Sequence, residues 1–260
     1  MTGPDLGSDI GASYDAASDA WRVGPARMYA RLADAMAGLA PVDLADATAL
    51  DAGAGTGVAG DALRRRGARS VVAVDLAHGM LAGSRSPAAV GDLTRLPFRD
   101  GSFDLAAAAF SINHFEDPTP VLVELRRVAG ALLASVFAPG WTHPAKDAVE
   151  AVMVSHGFVP PDWYVTFKAG GGDGEPGPAE LVAYAEAAGF SSAEATTIEV
   201  DTGLREPRDL VSWRLGMAHT APYAATLPPA ELDLARREAE EAVAGMPPLV
   251  VRMVVLGARR

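Results

Sequence analysis

Thr48-Ala-Leu-Asp-Ala-Gly-Ala-Gly-Thr-Gly57 is the stretch on which the reading of this chain turns. It is an apolar run that breaks into a glycine-rich turn, with Asp51 at the break. Apolar residues before Asp51 suit a strand buried on both faces of a parallel sheet, and Gly53, Gly55 and Gly57 allow backbone angles and a close ligand approach that side chains forbid. Val58 to Gly67 then reads as a helix. Strand, glycine turn and helix form the first unit of a nucleotide-binding α/β sheet, in which the ligand lies at the carboxyl ends of the strands beside a helix N-terminus.

The glycines alone leave the ligand open. Gly55-Thr-Gly57-Val-Ala-Gly60 satisfies G-x-G-x-x-G, so an NAD(P)-linked oxidoreductase is one reading. Against it, this match starts two residues after the first glycine of the turn, and Asp51 stands before that glycine. The second strand, Ser70-Val-Val-Ala-Val-Asp75, ends in a carboxylate 24 residues after Asp51. An acid at that tip can accept both hydrogen bonds of a ribose diol, which fits either nucleoside ligand. The whole string D-x-G-x-G-T-G resembles motif I of the class I S-adenosylmethionine-dependent methyltransferases, in particular their small-molecule and quinone-type branch.

Two further segments carry the same resemblance. Leu76-Ala-His-Gly-Met80-Leu81 is similar to the family's D-x-S-x-x-M-L segment, whose apolar residues wall the adenine slot; His78-Gly79 departs from it where packing alone is asked of the turn. Val90-Gly91-Asp92-Leu93-Thr94-Arg95-Leu96-Pro97-Phe98-Arg99-Asp100-Gly101-Ser102-Phe103-Asp104 resembles GD-x-x-x-LPF-x-DGSFD. In that pattern Asp92 accepts from the adenine amino group and the Leu93 amide donates to a ring nitrogen, while Asp100-Gly101 is a turn that launches the fourth strand, Phe103 to Phe110. The helix Pro118 to Arg127 then meets Arg127-Val-Ala-Gly130-Ala-Leu in place of the family's RV-L-x-P-GG-x-L, so a tighter loop is expected before the fifth strand.

The resemblance implies a Rossmann-like seven-stranded, mostly parallel α/β sheet with helices on both faces and a helical cap, in one domain over 1–260. Its expected parts are lid helices at 14–40, a cofactor-binding core at 48–137, a cap and substrate-recognition region at 139–230, and a last, antiparallel strand at 249–258. It assigns S-adenosylmethionine contacts to Tyr14, Arg22, Asp51, Ala52, Gly53, Gly55, Asp75, Leu76, Met80, Asp92, Leu93 and Phe110. For Tyr14 and Arg22, plain packing on the sheet is an equal reading.

The residues outside the motifs set further bounds. Met1 to Ala12 is small and polar and is expected to be loose, whereas Trp21, Met28, Leu32 and Met36 recur at helical spacing up to about Ala40. A net charge of −11 argues against a nucleic-acid partner, whose phosphates need clustered Lys and Arg. There are no cysteines, which excludes disulfide and thiolate chemistry and is compatible with an intracellular site. No signal peptide is visible at the N-terminus, and the longest apolar stretch, Val128 to Trp141, is too short to span a bilayer, so no membrane partner is expected. From Pro139 the resemblance weakens. Trp141, His143, His156, Trp163, Tyr164 and Phe167 precede a glycine-rich, hinge-like stretch, Gly170 to Gly177. Helices follow at Leu181–Ala188, Asp209–Ala218 and Glu231–Val243, with a sixth strand at Ala195–Val200 and the last at Leu249–Leu256. The aromatics suggest an apolar or ring-containing acceptor.

A sulfonium methyl is already electrophilic, so the expected reaction is in-line methyl transfer to O, N or C of a small organic molecule, with a base needed only for some acceptors. Of the five histidines, His114 follows the fourth strand and is the first candidate for a base or acceptor-orienting residue; His143 and His219 are weaker candidates. The histidines are isolated and no carboxylate pair has ligand spacing, so no metal is expected. Within the same fold, the alternative is a non-methylating cyclisation or rearrangement around bound S-adenosylmethionine.

Overall fold

The computed structural model describes residues 6–171 and 175–260. Seven strands, β1 (Thr48–Ala52), β2 (Ser70–Asp75), β3 (Ala88–Val90), β4 (Phe103–Ala109), β5 (Ala129–Phe137), β6 (Ser192–Asp201) and β7 (Val250–Arg259), make one sheet in the order β3-β2-β1-β4-β5-β7-β6. β1 pairs in parallel with both β2 and β4, and β7 runs antiparallel between β5 and β6. The chain winds outward from β1 to β3 and then returns across β1 to begin β4. That reversal opens a crevice at the carboxyl ends of β1 and β4, where an open α/β sheet takes its ligand.

The helices before the fifth strand are α1 (Leu6–Val23), α2 (Pro25–Ala37), α3 (Val58–Arg65), α4 (His78–Leu81) and α5 (Thr119–Val128). After it come α6 (Ala145–Ser155), α7 (Asp162–Gly171), α8 (Pro178–Ala187), α9 (Pro207–Leu215), α10 (Ala221–Ala224) and α11 (Pro229–Ala242). Pro25, Pro178, Pro207 and Pro229 each open a helix, where the missing N–H costs nothing and φ is already helical. Alternation along the strands feeds two cores. Ala49, Leu105 and Ala107 pack with Met28, Leu32 and Met36 of α2 on one face. Leu50, Ala106 and Ala108 pack with Leu122 and Leu125 of α5 and Leu181 of α8 on the other. The small residues of β4 let helices approach both faces, and each fully buried Leu or Met contributes roughly 1.5–3 kcal/mol.

Four expectations about the chain's course are corrected. Leu6 to Ala12 is not loose but forms the first part of α1; Ile10 packs beside Trp163 and Ala218, and tertiary burial carries a segment whose composition alone would not. Phe110 lies beyond β4, in the left-handed region at φ 54°. The loop expected to shorten before β5 is absent altogether, since α5 ends at Val128 and β5 begins at Ala129. The span 139–230 is not one cap, because β6 is a strand of the sheet and α8 packs under it. Of the hinge-like stretch Gly170 to Gly177, residues 172–174 lie outside the described residues, as do residues 1–5 at the N-terminus.

Candidate active site

The turn after β1 is held open by its own backbone. Gly53, Gly55 and Gly57 have φ of 71°, 53° and 84°, and the Gly53 and Ala54 amides both donate to the Val74 carbonyl, at 2.8 and 3.0 Å. A Cβ on Gly53 would stand 2.3 Å from the Ser111 Cβ. The turn is therefore pressed against the loop after β4, and Ser111 Oγ seals the contact by donating to the Ala52 carbonyl at 2.9 Å.

Asp51 is 1% exposed. Its Oδ2 accepts from the Gly60 amide of α3 at 2.7 Å, and its Oδ1 has no partner among the described residues. Burial pushes this carboxyl up to about 7, although the Gly60 amide pulls the other way. Asp75 is raised too, first by burial, while its Oδ2 and Oδ1 accept from the amides of Gly55 and Ala77 at 2.7 and 2.9 Å. A carboxylate has about four lone-pair sites, so Asp75 retains acceptor capacity toward the crevice.

Around these acids lies a cavity of about 350 Å³. Tyr14, Asp51, Gly53, Gly55, Asp75, Leu76, Met80, Asp92, Leu93 and Phe110 line it, joined by His114. Two of the predicted contacts do not. Ala52 is fully buried beneath the turn. Arg22 donates to the carbonyls of Gly79 and Ala82 and to Asp19, so its guanidinium is consumed in lacing α1 to α4. Asp15 completes that lacing by accepting from the Gly79 amide at 2.6 Å.

A second, smaller cavity of about 60 Å³ adjoins the first. Tyr14, Tyr29, Phe110 and His114 belong to both, and Phe137, Trp163, Tyr164, Asn113, Met217, Ala218 and His219 complete the second. Phe110 buys this position with a strained backbone, uncommon for a bulky residue, that sets its ring 5.4 Å from Tyr29 and 4.6 Å from Phe137. The Tyr14 hydroxyl stands 3.2 Å from His114 Nε2. Burial lowers His114 to about 4, so the imidazole is neutral at pH 7. His219 stacks on Tyr164 with ring centroids 3.6 Å apart.

The remaining histidines and aromatics are elsewhere. His143 is buried with both ring nitrogens used, Nε2 on the Pro247 carbonyl and Nδ1 accepting from the Ala145 amide, which makes it a structural clasp and not a base. His156 pairs with Glu238 at 2.7 Å, between α6 and α11. His78 is exposed. Trp141 stacks on the back of Phe137 and donates to the Val250 carbonyl. The side chain of Phe167 lies outside the described residues. Among the described residues no three His, Cys, Asp or Glu converge as a metal site, and no helix is long and apolar enough to cross a membrane.

Comparison with known proteins adds what geometry does not. Residues 50–131 match the methyltransferase domain family. The demethylmenaquinone methyltransferase of Mycolicibacterium vanbaalenii is 33% identical over 196 residues, which cover 70% of this chain and 83% of that protein. The chain belongs to the class I S-adenosylmethionine-dependent methyltransferases. The corresponding enzyme of Renibacterium salmoninarum is 33% identical over 156 residues, covering 57% of this chain and 62% of its own length, so the chain spans less than two thirds of that relative. Among solved structures, a chain from the Haloferax volcanii complex of the Trm112 methyltransferase activator aligns over 96% of both chains with a TM-score of 0.55 at 17% identity. The [4+2]-cyclase SpnF aligns over 89% of this chain and 81% of its own with a TM-score of 0.53 at 19% identity. Both likenesses show the fold alone.

S-adenosylmethionine is the cofactor of this methyltransferase, and the larger cavity fits it. The unpartnered Asp51 Oδ1 and the glycine turn offer an anionic, close-fitting end for a cationic amino acid, Asp75 an acceptor for a ribose, and Leu76, Met80 and Leu93 a flat apolar wall for a base. Sequence reasoning missed Ile10, Gly11, Tyr29 and Ser111, which also bound the cavities. Tyr29 had a signal, since it follows Met28 within an amphipathic pattern. Ser111 had none, because only the tertiary approach of two loops gives it a role.

Proposed function

We propose that this protein transfers the methyl group of S-adenosylmethionine to a ring-containing small molecule of quinol type, seated where the second cavity adjoins the first. The observation that carries this reading is the wall shared by the two cavities, formed by Tyr14, Tyr29, Phe110 and His114, which brings an acceptor ring against the cofactor site. The quinol class is supported by the printed activity of the relatives, demethylmenaquinone methylation. Bound in the larger cavity, the cofactor supplies an electrophilic methyl on a sulfonium. The protein's own part is alignment and the exclusion of water, worth on the order of 7–11 kcal/mol at best. A neutral His114 lowered to about 4 is a weak base at pH 7, so its role here is to orient the acceptor together with the Tyr14 hydroxyl.

The test incubates the protein with S-adenosylmethionine and a reduced naphthoquinone and follows S-adenosylhomocysteine and the methylated product. His114→Ala is expected to lower turnover at least tenfold while leaving cofactor affinity within about twofold. Loss of cofactor binding in that variant would assign His114 to the cofactor cavity instead. A rearranged product with the cofactor unconsumed would support the cyclase-like alternative.

A further inference from the structure

We propose that His219, fixed in one tautomer by Arg214, receives an ionised oxygen of the acceptor, so that this chain selects ring-containing acceptors that carry an anionic oxygen. The inference rests on the reading of the second cavity as the acceptor site.

Arg214 is 4% exposed, at the end of α9. A guanidinium has five N–H donors and cannot accept. Its hydrogen bond in the described residues is Nη2 to His219 Nε2 at 3.2 Å, its Nε has no partner among them, and Glu150 stands 3.9 Å from Nη2, beyond hydrogen-bond reach. Glu150 at ion-pair distance and the Trp213 ring, 5.3 Å from the guanidinium carbon, compensate this buried charge in part, while the Nε–H stays unsatisfied among the described residues.

The tautomer of His219 follows from the same contact. Because Arg214 can only donate, His219 Nε2 must accept, and the ring proton is on Nδ1. His219 also stays neutral, since burial and then the Arg214, Lys168 and Lys146 charges pull it down to about 2. Stacking on Tyr164, at an interplanar angle of 4°, fixes the plane of a ring that lines the acceptor cavity. The residue is therefore an oriented N–H donor polarised by a cation, which is what an oxyanion asks for.

The charge around it points the same way. Lys146 lies 4.1 Å over the Trp141 ring and is lowered to about 8, first by burial and then by Arg214 and Lys168. The anions facing these three cations are Glu150, 3.6 Å from Lys168, the exposed Asp147 beside Lys146, and Glu175, which burial raises to about 7 and which is held by Asn113 at the cavity edge. Because Glu175 is raised toward protonation, the region keeps a slight surplus of positive charge at neutral pH, which favours an anionic over a neutral acceptor.

The test uses 4-nitrophenol, whose phenolate is coloured, and its neutral methyl ether 4-nitroanisole, with S-adenosylhomocysteine present. The bound phenol is expected to ionise at least about one pH unit below the free phenol, and 4-nitroanisole to bind at least about tenfold more weakly than the phenolate. His219→Phe keeps the stacked ring and removes the N–H, and should abolish the shift; His219→Asn restores a side-chain N–H and should recover part of it. Arg214→Met should behave as His219→Phe, and if it does not fold, the two His219 variants decide alone. Affinity for S-adenosylhomocysteine should be unchanged in the variants, which separates recognition from a structural role. Equal binding of phenolate and anisole, a shift that survives in His219→Phe, or no nitrophenol binding beside intact S-adenosylhomocysteine binding overturns the inference while the methyltransferase reading stands. Failure of the unaltered protein to bind S-adenosylhomocysteine overturns both.

Discussion

Asp51 and Asp75 sit at the tips of neighbouring parallel strands and are both pushed toward protonation by burial, yet they are asked to do different things. Asp51 has spent one oxygen on the α3 amide, whereas Asp75 has used one lone pair on each oxygen to fix the Gly55 and Ala77 amides. Replacing Asp75 by Ala removes the ribose acceptor and also the tie that shapes the glycine turn. Charge-assisted hydrogen bonds contribute roughly 1.5–3 kcal/mol, so Asp75→Ala should weaken S-adenosylmethionine binding about tenfold or more in calorimetric titration. Unchanged affinity would remove Asp75 from the ribose site. These two acids were legible from sequence because a buried strand that ends in a carboxylate beside glycines has few purposes. Arg214 and Glu175 were not, because their meaning lies in what they lack or meet across the fold, and no spacing records that.

At the scale of elements, β1, β2 and β4 were legible nearly residue for residue, since apolar runs bounded by turn residues mark buried parallel strands, whereas the antiparallel β6 and β7 run beyond the stretches read for them, Ala195–Val200 and Leu249–Leu256. Helix α1 was not, because Leu6 to Ala12 lacks an apolar stripe and is ordered by what it covers. α1 lies over the larger cavity through Ile10, Gly11 and Tyr14, and α4 forms part of the opposite wall through Met80. Arg22 and Asp15 lace the two together, and two residues beyond Arg22 Gly24 packs against the Ser212 carbonyl of α9 closely enough that a Cβ would stand 2.1 Å away. α1 is thus anchored along its C-terminal half. Arg22→Ala loosens that anchorage without touching the cavity. It should raise the Kd for S-adenosylmethionine several-fold and speed proteolysis within α1 when the cofactor is absent, with saturating cofactor restoring protection. Cofactor affinity and cleavage rate equal to the unaltered protein would mean that the lacing has no part in holding α1 over the cavity.

The whole molecule holds ionisable groups displaced in both directions, and their proton balance sets how folding stability depends on pH. Burial raises Asp51 and Glu175 to about 7, whereas it lowers His114 to about 4 and His219 to about 2. A carboxyl raised on folding binds more protons in the native state and loses its stabilising contribution as pH rises through its folded value. A histidine lowered on folding does the reverse, because the unfolded chain takes up the proton that the native state refuses. Between about pH 4.5 and 6.5 these two carboxyls and these two histidines oppose one another. His219 can be isolated from this balance. When unfolded it carries nearly a full proton below about pH 5.5 and half a proton at its ordinary 6.5, and none when folded. Its presence therefore makes stability fall with acidification by about 1.4 kcal/mol per pH unit below about pH 5.5, and by about half that at 6.5. In His219→Phe this component is gone, so the slope of unfolding free energy against pH should be lower than that of the unaltered protein by about 1.4 kcal/mol per pH unit from about pH 4.5 to 5.5, and the variant should gain relative stability toward acid. Urea unfolding at closely spaced pH values measures it. Parallel profiles for the two proteins would mean that His219 is protonated in the folded state, and Arg214 could not then be its donor.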